Sequence, residues 1–99
     1  MTEGHALISP DVLASYAADA AREVKGVHGL VGRHDGVKVT REEGRVGVEL
    51  QLSLVWGANA AAVGAKVQAR VAESLARLAD VRPDTVDVVV AEWHSASPA

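Results

Sequence analysis

The pattern of apolar and polar positions predicts two helices and four strands. Apolar residues recur at helical spacing over 10–25 and 60–79, and strand-like alternation covers 27–31, 37–42, 45–56 and 85–93. The order of helix, three strands, helix and strand is typical of an α+β domain, with two helices packed on one face of a mostly antiparallel sheet of about four strands. We expect one domain over 7–93, with flexible tails at 1–6 and 94–99.

A hairpin is the clearest local signal. Segments 37–42 and 45–56 are separated only by Glu43-Gly44, and a tight two-residue turn would fix the register of the two strands. In that register Glu42 lies opposite Arg45 and Lys38 lies opposite Glu49. The predicted pairing therefore places opposite charges across from each other.

The second helix has a cap and a predicted buried stripe. Asn59 precedes it and can accept a hydrogen bond from a free backbone N–H group. Gly64 lies near the stripe, and we expect a backbone or bulky side chain to pass close to it, since glycine inside a helix costs about 1 kcal/mol relative to alanine. The stripe comprises Val63, Val67, Val71, Leu75 and Leu78.

Composition narrows the class of protein. The 99 residues suffice for one domain, 48% of them are apolar, and the only aromatic residues are two Trp and one Tyr. The absence of cysteine excludes disulfides and thiolate metal sites. No apolar run has the length of a membrane span, and the first residues contain no apolar signal core, so we expect a cytoplasmic protein.

Six segments, colinear over most of the chain, form a recognisable set. They are ISPDV at 8–12, EVKGV at 23–27, GVKV at 36–39, LSLVWGAN at 52–59, Val63 with Val67-Gln68, and VDVVV at 86–90. Together they resemble the alkaline shock protein family. The resemblance implies a small non-enzymatic bacterial protein of the envelope stress response. It also implies self-association and peripheral attachment to the inner face of the membrane through an integral membrane partner. The family often has Tyr where this chain has Trp56.

Candidate chemistry is sparse. His28 and His34 with Asp35 could supply metal ligands across a short loop, but they lack the spacing of a recognised site, so we predict no metal and no cofactor. Glu42 and Glu43 fall in a hairpin turn, where carboxylates are normally solvated and lack catalytic leverage. The sequence therefore predicts a protein that is not an enzyme.

A small RNA-binding module is the alternative function. A modest basic patch is predicted around the hairpin, but acidic residues are interleaved with it, and the net charge of −3 opposes phosphate binding. We therefore rank nucleic acid below protein partners. The basic residues are Arg33, Lys38, Arg41 and Arg45, and the acidic ones are Glu42, Glu43 and Glu49.

The last strand suggests a protein interface. If Val86, Val88 and Val90 face the helices, strand alternation places the intervening residues on the outer face of the sheet. We predict self-association through an outer apolar patch, without direct membrane insertion. A bulge near Ala91 is the competing interpretation, because it would turn Trp93 back towards the core. The predicted interface comprises Val55, Val89, Ala91 and Trp93.

Overall fold

The computed structural model describes residues 8–95 and has the predicted α+β architecture. Two helices, α1 (Pro10–Arg22) and α2 (Ala60–Ala79), pack on one face of a four-stranded sheet. The strands are β1 (Val27–Leu30), β2 (Val37–Glu42), β3 (Arg45–Val55) and β4 (Thr85–His94). His94 belongs to β4 rather than to a tail. The other predicted tail residues, apart from Ser95, lie outside the described residues.

Strand β3 is the centre of the sheet. Strands β1 and β2 pair with it in antiparallel orientation, and β4 pairs with it in parallel. Helix α2 supplies the connection that a parallel pair needs, because a short turn cannot return the chain to the same end of the sheet. The carboxyl ends of β3 and β4 therefore lie side by side, near the amino end of α2.

The hairpin register is confirmed. Glu42 pairs with Arg45, and Lys38 pairs with Glu49. Both turn residues have positive φ, 52° at Glu43 and 81° at Gly44, as the tight turns that suit twisted hairpins require. The predicted two-residue turn is therefore the one that forms.

The core is almost entirely aliphatic, and its large residues come mainly from β3 and α2. Helix α1 contributes mostly alanine to the core, so small side chains allow it to pack close to its neighbours. The completely or almost completely buried large side chains are Leu13, Leu50, Leu52, Leu54, Leu75, Val48, Val67 and Val71.

Two helix predictions are wrong in detail. Helix α1 ends at Arg22 with Glu23 as its cap, before the predicted end near 25, and Gly26 serves the turn into β1 with a φ of 101°. In α2, Leu78 is 49% exposed although its helical angle falls within the predicted stripe. Its exposure follows from its place in the last turn, beyond Leu75, the final buried residue of the stripe.

The expected close approach at Gly64 is absent. A Cβ atom built on Gly64 would lie 3.9 Å from Cγ1 of Val88, which is an ordinary van der Waals contact. The Asn59 cap, in contrast, is confirmed, because its side-chain oxygen accepts a hydrogen bond from the Ala62 N–H at 2.9 Å. The Asn59 cap therefore explains where α2 begins, and packing does not require glycine at position 64.

Candidate interaction surface

A bulge in β4 separates the residues of the predicted interface. Leu52 pairs with Val90, whereas the next residue of β3, Ser53, pairs with Glu92, so Ala91 is an extra residue in the ladder. One extra residue reverses the facing of all side chains that follow it. The assumption of uninterrupted alternation in β4 was therefore wrong.

The predicted residues consequently occupy different places. Val89 pairs with Gln51, and Val55 pairs with His94, both on the face opposite the helices. Trp93 pairs with Leu54, which is fully buried beneath the helices, so Trp93 lies on the helix side of the sheet. The competing interpretation of a bulge near Ala91 describes this geometry. The four residues do not form one outer patch.

Trp93 instead contacts Trp56, and we call these two residues the tryptophan pair. Their ring centroids are 5.9 Å apart and the rings are nearly perpendicular, at 80°. Trp56 follows the end of β3, two residues beyond Leu54, and is therefore on the same side of the sheet. The strand ends hold the pair at the edge of the core, where Trp56 is 70% exposed and Trp93 is 43% exposed.

Neither tryptophan belongs to the buried core. Trp is the largest apolar side chain, and the sequence contains only two, with no Phe. The core is filled without them by leucine, valine and alanine. Contact between two perpendicular aromatic rings contributes about 0.5–1.5 kcal/mol in addition to the free energy of burying their surface, and this contact orders the rings. Much of their surface remains exposed. The tryptophan pair is thus an ordered apolar surface at the edge of the core.

Two histidines meet at the same end of the sheet, and we call them the histidine pair. The rings of His28 on β1 and His94 on β4 are stacked, with centroids 3.6 Å apart and an angle of 14° between their planes. Both side chains are exposed. The sequence groups His28 with His34 and places position 94 in a predicted flexible tail, because no local signal reveals a contact between residues so distant in the chain.

The outer face of the sheet carries charges of both signs. Lys38 pairs across the hairpin with Glu49, and Glu49 in turn lies beside Asp87 of β4. Arg45 lies opposite Glu42. Lys38 and Arg45, two of the four basic residues considered for RNA binding, therefore have acidic neighbours on the ladder, which weakens the positive field that phosphate binding needs.

The candidates for catalysis and metal binding are scattered. His34 and Asp35 line a cavity of about 520 Å³ between α1 and β2, and both have left-handed backbone conformations. Glu42 and Glu43 are exposed at the hairpin turn. Within residues 8–95, no group of three or more potential metal-ligating side chains occurs.

In the same part of the chain, no helix has the length and apolar character needed to cross a membrane.

Comparison with solved structures shows the same fold in another protein. A manganese form of a MamM CTD variant superposes with a TM-score of 0.57 at 11% sequence identity, covering 83% of this chain and 96% of that one. A second MamM CTD variant has a TM-score of 0.57 at 11% identity, covering 90% of this chain and 95% of that one. Identities this low establish similarity of fold.

Comparison with sequences identifies the family. A search of curated proteins gives no match. A family model does match, over residues 1–94, and its description is a cell envelope-related function. The match spans the helices and all four strands, as well as the segments that carried the resemblance. The chain therefore belongs to the alkaline shock protein family, a family with a cell envelope-related function.

Proposed function

We propose that this protein is a non-enzymatic adaptor or scaffold of the envelope stress response. It works by protein–protein contacts at the cytoplasmic side of the membrane, self-associates, and is held near the membrane by an integral membrane partner. The observation that carries the proposal is the tryptophan pair, in which the two largest apolar side chains touch each other and remain exposed. Membership of a cell envelope-related family supports the setting.

The geometry of the tryptophan pair supports a protein partner. Tryptophan is enriched among the residues that dominate binding energy at protein interfaces, because a large rigid ring loses little conformational entropy when it is buried. Here the rings are also anchored at their bases. Trp93 is fixed by its ladder pairing with Leu54, and the Trp56 N–H donates a hydrogen bond to the His94 carbonyl oxygen at 2.9 Å. Binding would therefore require little reorganisation of the backbone.

Of the predicted interface residues, Trp93 carries this proposal together with Trp56. Val89 is 43% exposed, but it lies on the other face of the sheet, where it pairs with Gln51 and is distant from the tryptophan pair. Val55 and Ala91 are nearer in sequence, but neither shares the face of Leu54 through a ladder pairing. We therefore centre the self-association surface on the tryptophan pair rather than on the outer sheet face.

Light scattering across a dilution series tests self-association. We expect the wild-type mass to exceed the monomer mass of 10.3 kDa and to fall on dilution, and we expect Trp93→Ala and Trp56→Ala to shift it towards the monomer. Leu78→Ala is the matched control, because Leu78 is also a large exposed apolar residue. Leu78 lies in the last turn of α2, whereas Trp56 lies before the first turn, at the other end of the helix. A monomeric wild type, or equal loss in the control, would contradict self-association through this surface.

Purification in mild detergent tests the membrane partner. An integral membrane protein should co-purify with the wild type and with Leu78→Ala, and its yield should fall with Trp56→Ala. Unfolding of a variant is excluded by thermal melting of the purified protein. If Trp56→Ala retains the membrane protein in full, the partner binds elsewhere and the tryptophan pair serves only self-association.

A further inference from the structure

We propose that the histidine pair is a two-ligand binding site for a divalent transition-metal ion of the zinc, nickel and copper class. Imidazole nitrogen is a preferred ligand of these ions, and histidine is the commonest metal ligand in proteins. His28 and His94 are brought together by the sheet from positions far apart in the sequence. This site is separate from the tryptophan pair, and the proposal does not depend on self-association.

The spacing of the rings suits a shared ion. Nitrogen ligands lie about 2.0–2.1 Å from zinc, so two ligands in tetrahedral coordination are roughly 3.4 Å apart. The ring centroids of His28 and His94 are 3.6 Å apart, so a nitrogen of each ring comes within reach of one ion once the two ring planes rotate apart. The rings are stacked, so each must tilt to direct a nitrogen lone pair at the ion. Both side chains are exposed, and the tilt therefore disturbs no core packing.

The backbone positions of the two histidines are fixed by one short segment. The Val55 N–H donates to the Gly26 carbonyl oxygen at 2.9 Å, close to His28. The Trp56 N–H donates to the carbonyl oxygen of His94 itself, also at 2.9 Å. Val55 and Trp56 are consecutive residues. Strands β1 and β4, which carry the two rings, therefore cannot separate without breaking hydrogen bonds at the end of β3. The backbone positions of the two ligands are therefore fixed before an ion binds, and only the side chains must rotate.

The remaining coordination positions are open. No third metal-ligating side chain joins the pair among the described residues, so water would complete the coordination. Glu92 lies two residues before His94 on the same face of β4, and its charge attracts cations to this end of the sheet. We infer an exchangeable site that is weaker than a structural zinc site with four protein ligands.

Calorimetric titration of the tag-free protein with NiCl₂ and with ZnCl₂ tests the site. We expect one ion to bind per chain. His28→Ala and His94→Ala should each weaken binding by at least about tenfold, because even the loss of a residue that only hydrogen-bonds to a metal ligand usually costs that much affinity. His34→Ala is the matched control, since it removes another exposed histidine that is not part of the pair. MgCl₂ should give no binding, because magnesium requires oxygen ligands.

Fluorescence provides a second readout. Trp93 directly precedes His94, so nickel or copper bound at the histidine pair should quench tryptophan emission in wild-type protein and in His34→Ala, but not in His94→Ala. Absence of binding by the wild type would overturn the proposal. So would equal weakening by His34→Ala, or unchanged affinity in His28→Ala. Unchanged self-association in the tryptophan variants, with metal binding intact, would leave this site standing and reject only the tryptophan surface.

Discussion

Trp93 pairs with Leu54 across the parallel ladder between β3 and β4, although strict alternation from Val90 would place Trp93 on the opposite face. Ala91 is the residue that makes the difference, because it is inserted between two otherwise continuous stretches of pairing. A single small residue thus decides whether a large aromatic side chain lies on the charged outer face or beside Trp56.

Deletion of Ala91 should leave the tryptophan pair intact. Without the extra residue, Val90 and Glu92 become consecutive and still pair with Leu52 and Ser53, so Trp93 keeps its place beside Leu54. We expect the far-UV exciton signal of the two indoles to persist and stability to change by no more than about 1 kcal/mol. If β4 were regular through Ala91, the deletion would move Trp93 to the other face, and the exciton signal would disappear.

Local sequence signals predicted the hairpin well. Its register follows from the two-residue turn Glu43-Gly44 and from alternation in the part of β3 that pairs with β2, where the fully buried residues lie on one face. Helix α2 was similarly predictable, because Asn59 supplies a cap and apolar residues recur along one stripe. In both cases the determining contacts are close in sequence, and a pattern read over a short window contains the necessary information.

The candidate site was only partly predictable. Trp93 was predicted to be an interface residue, but its face depends on a bulge for which Ala91 gives no distinctive signal. The contact between His28 and His94 depends on the position of β4 in the sheet, which is set by the crossover through α2 rather than by local spacing. Long-range pairing of this kind has no counterpart in the periodicity of the sequence.

Leucines 75 and 78 should differ sharply in their contribution to stability. Leu75 is fully buried, so Leu75→Ala removes packed methyl groups and leaves a cavity, with an expected cost of about 2–5 kcal/mol. Leu78 is 49% exposed, and Leu78→Ala should change stability by no more than about 0.5 kcal/mol. Urea unfolding at one fixed protein concentration measures both values. Similar losses in the two variants would show that the last turn of α2 is packed more tightly than described.

Two glycine substitutions should have opposite effects. Gly64→Ala should stabilise the protein by about 0.5–1 kcal/mol, because alanine has the higher helix propensity and its Cβ would be 3.9 Å from the nearest Val88 atom. Gly26→Ala should cost more than about 1 kcal/mol, because φ is 101° and the new Cβ would lie 2.8 Å from Val63 Cγ2. Thermal melting of both variants gives the comparison. Destabilisation by Gly64→Ala would reveal a close contact on α2.

The purified protein should remain unbound when it is centrifuged with vesicles that contain anionic lipid. Its net charge of −3 opposes attraction to such a surface, and neither helix has the dense basic face of an interfacial anchor. Exposed tryptophans can also enter the headgroup region of a bilayer, so the assay should include Trp56→Ala with Leu78→Ala as its control. Flotation of the wild type and of Leu78→Ala, lost in Trp56→Ala, would mean that the tryptophan pair contacts lipid directly. Attachment through a protein partner requires instead that all three remain in the soluble fraction.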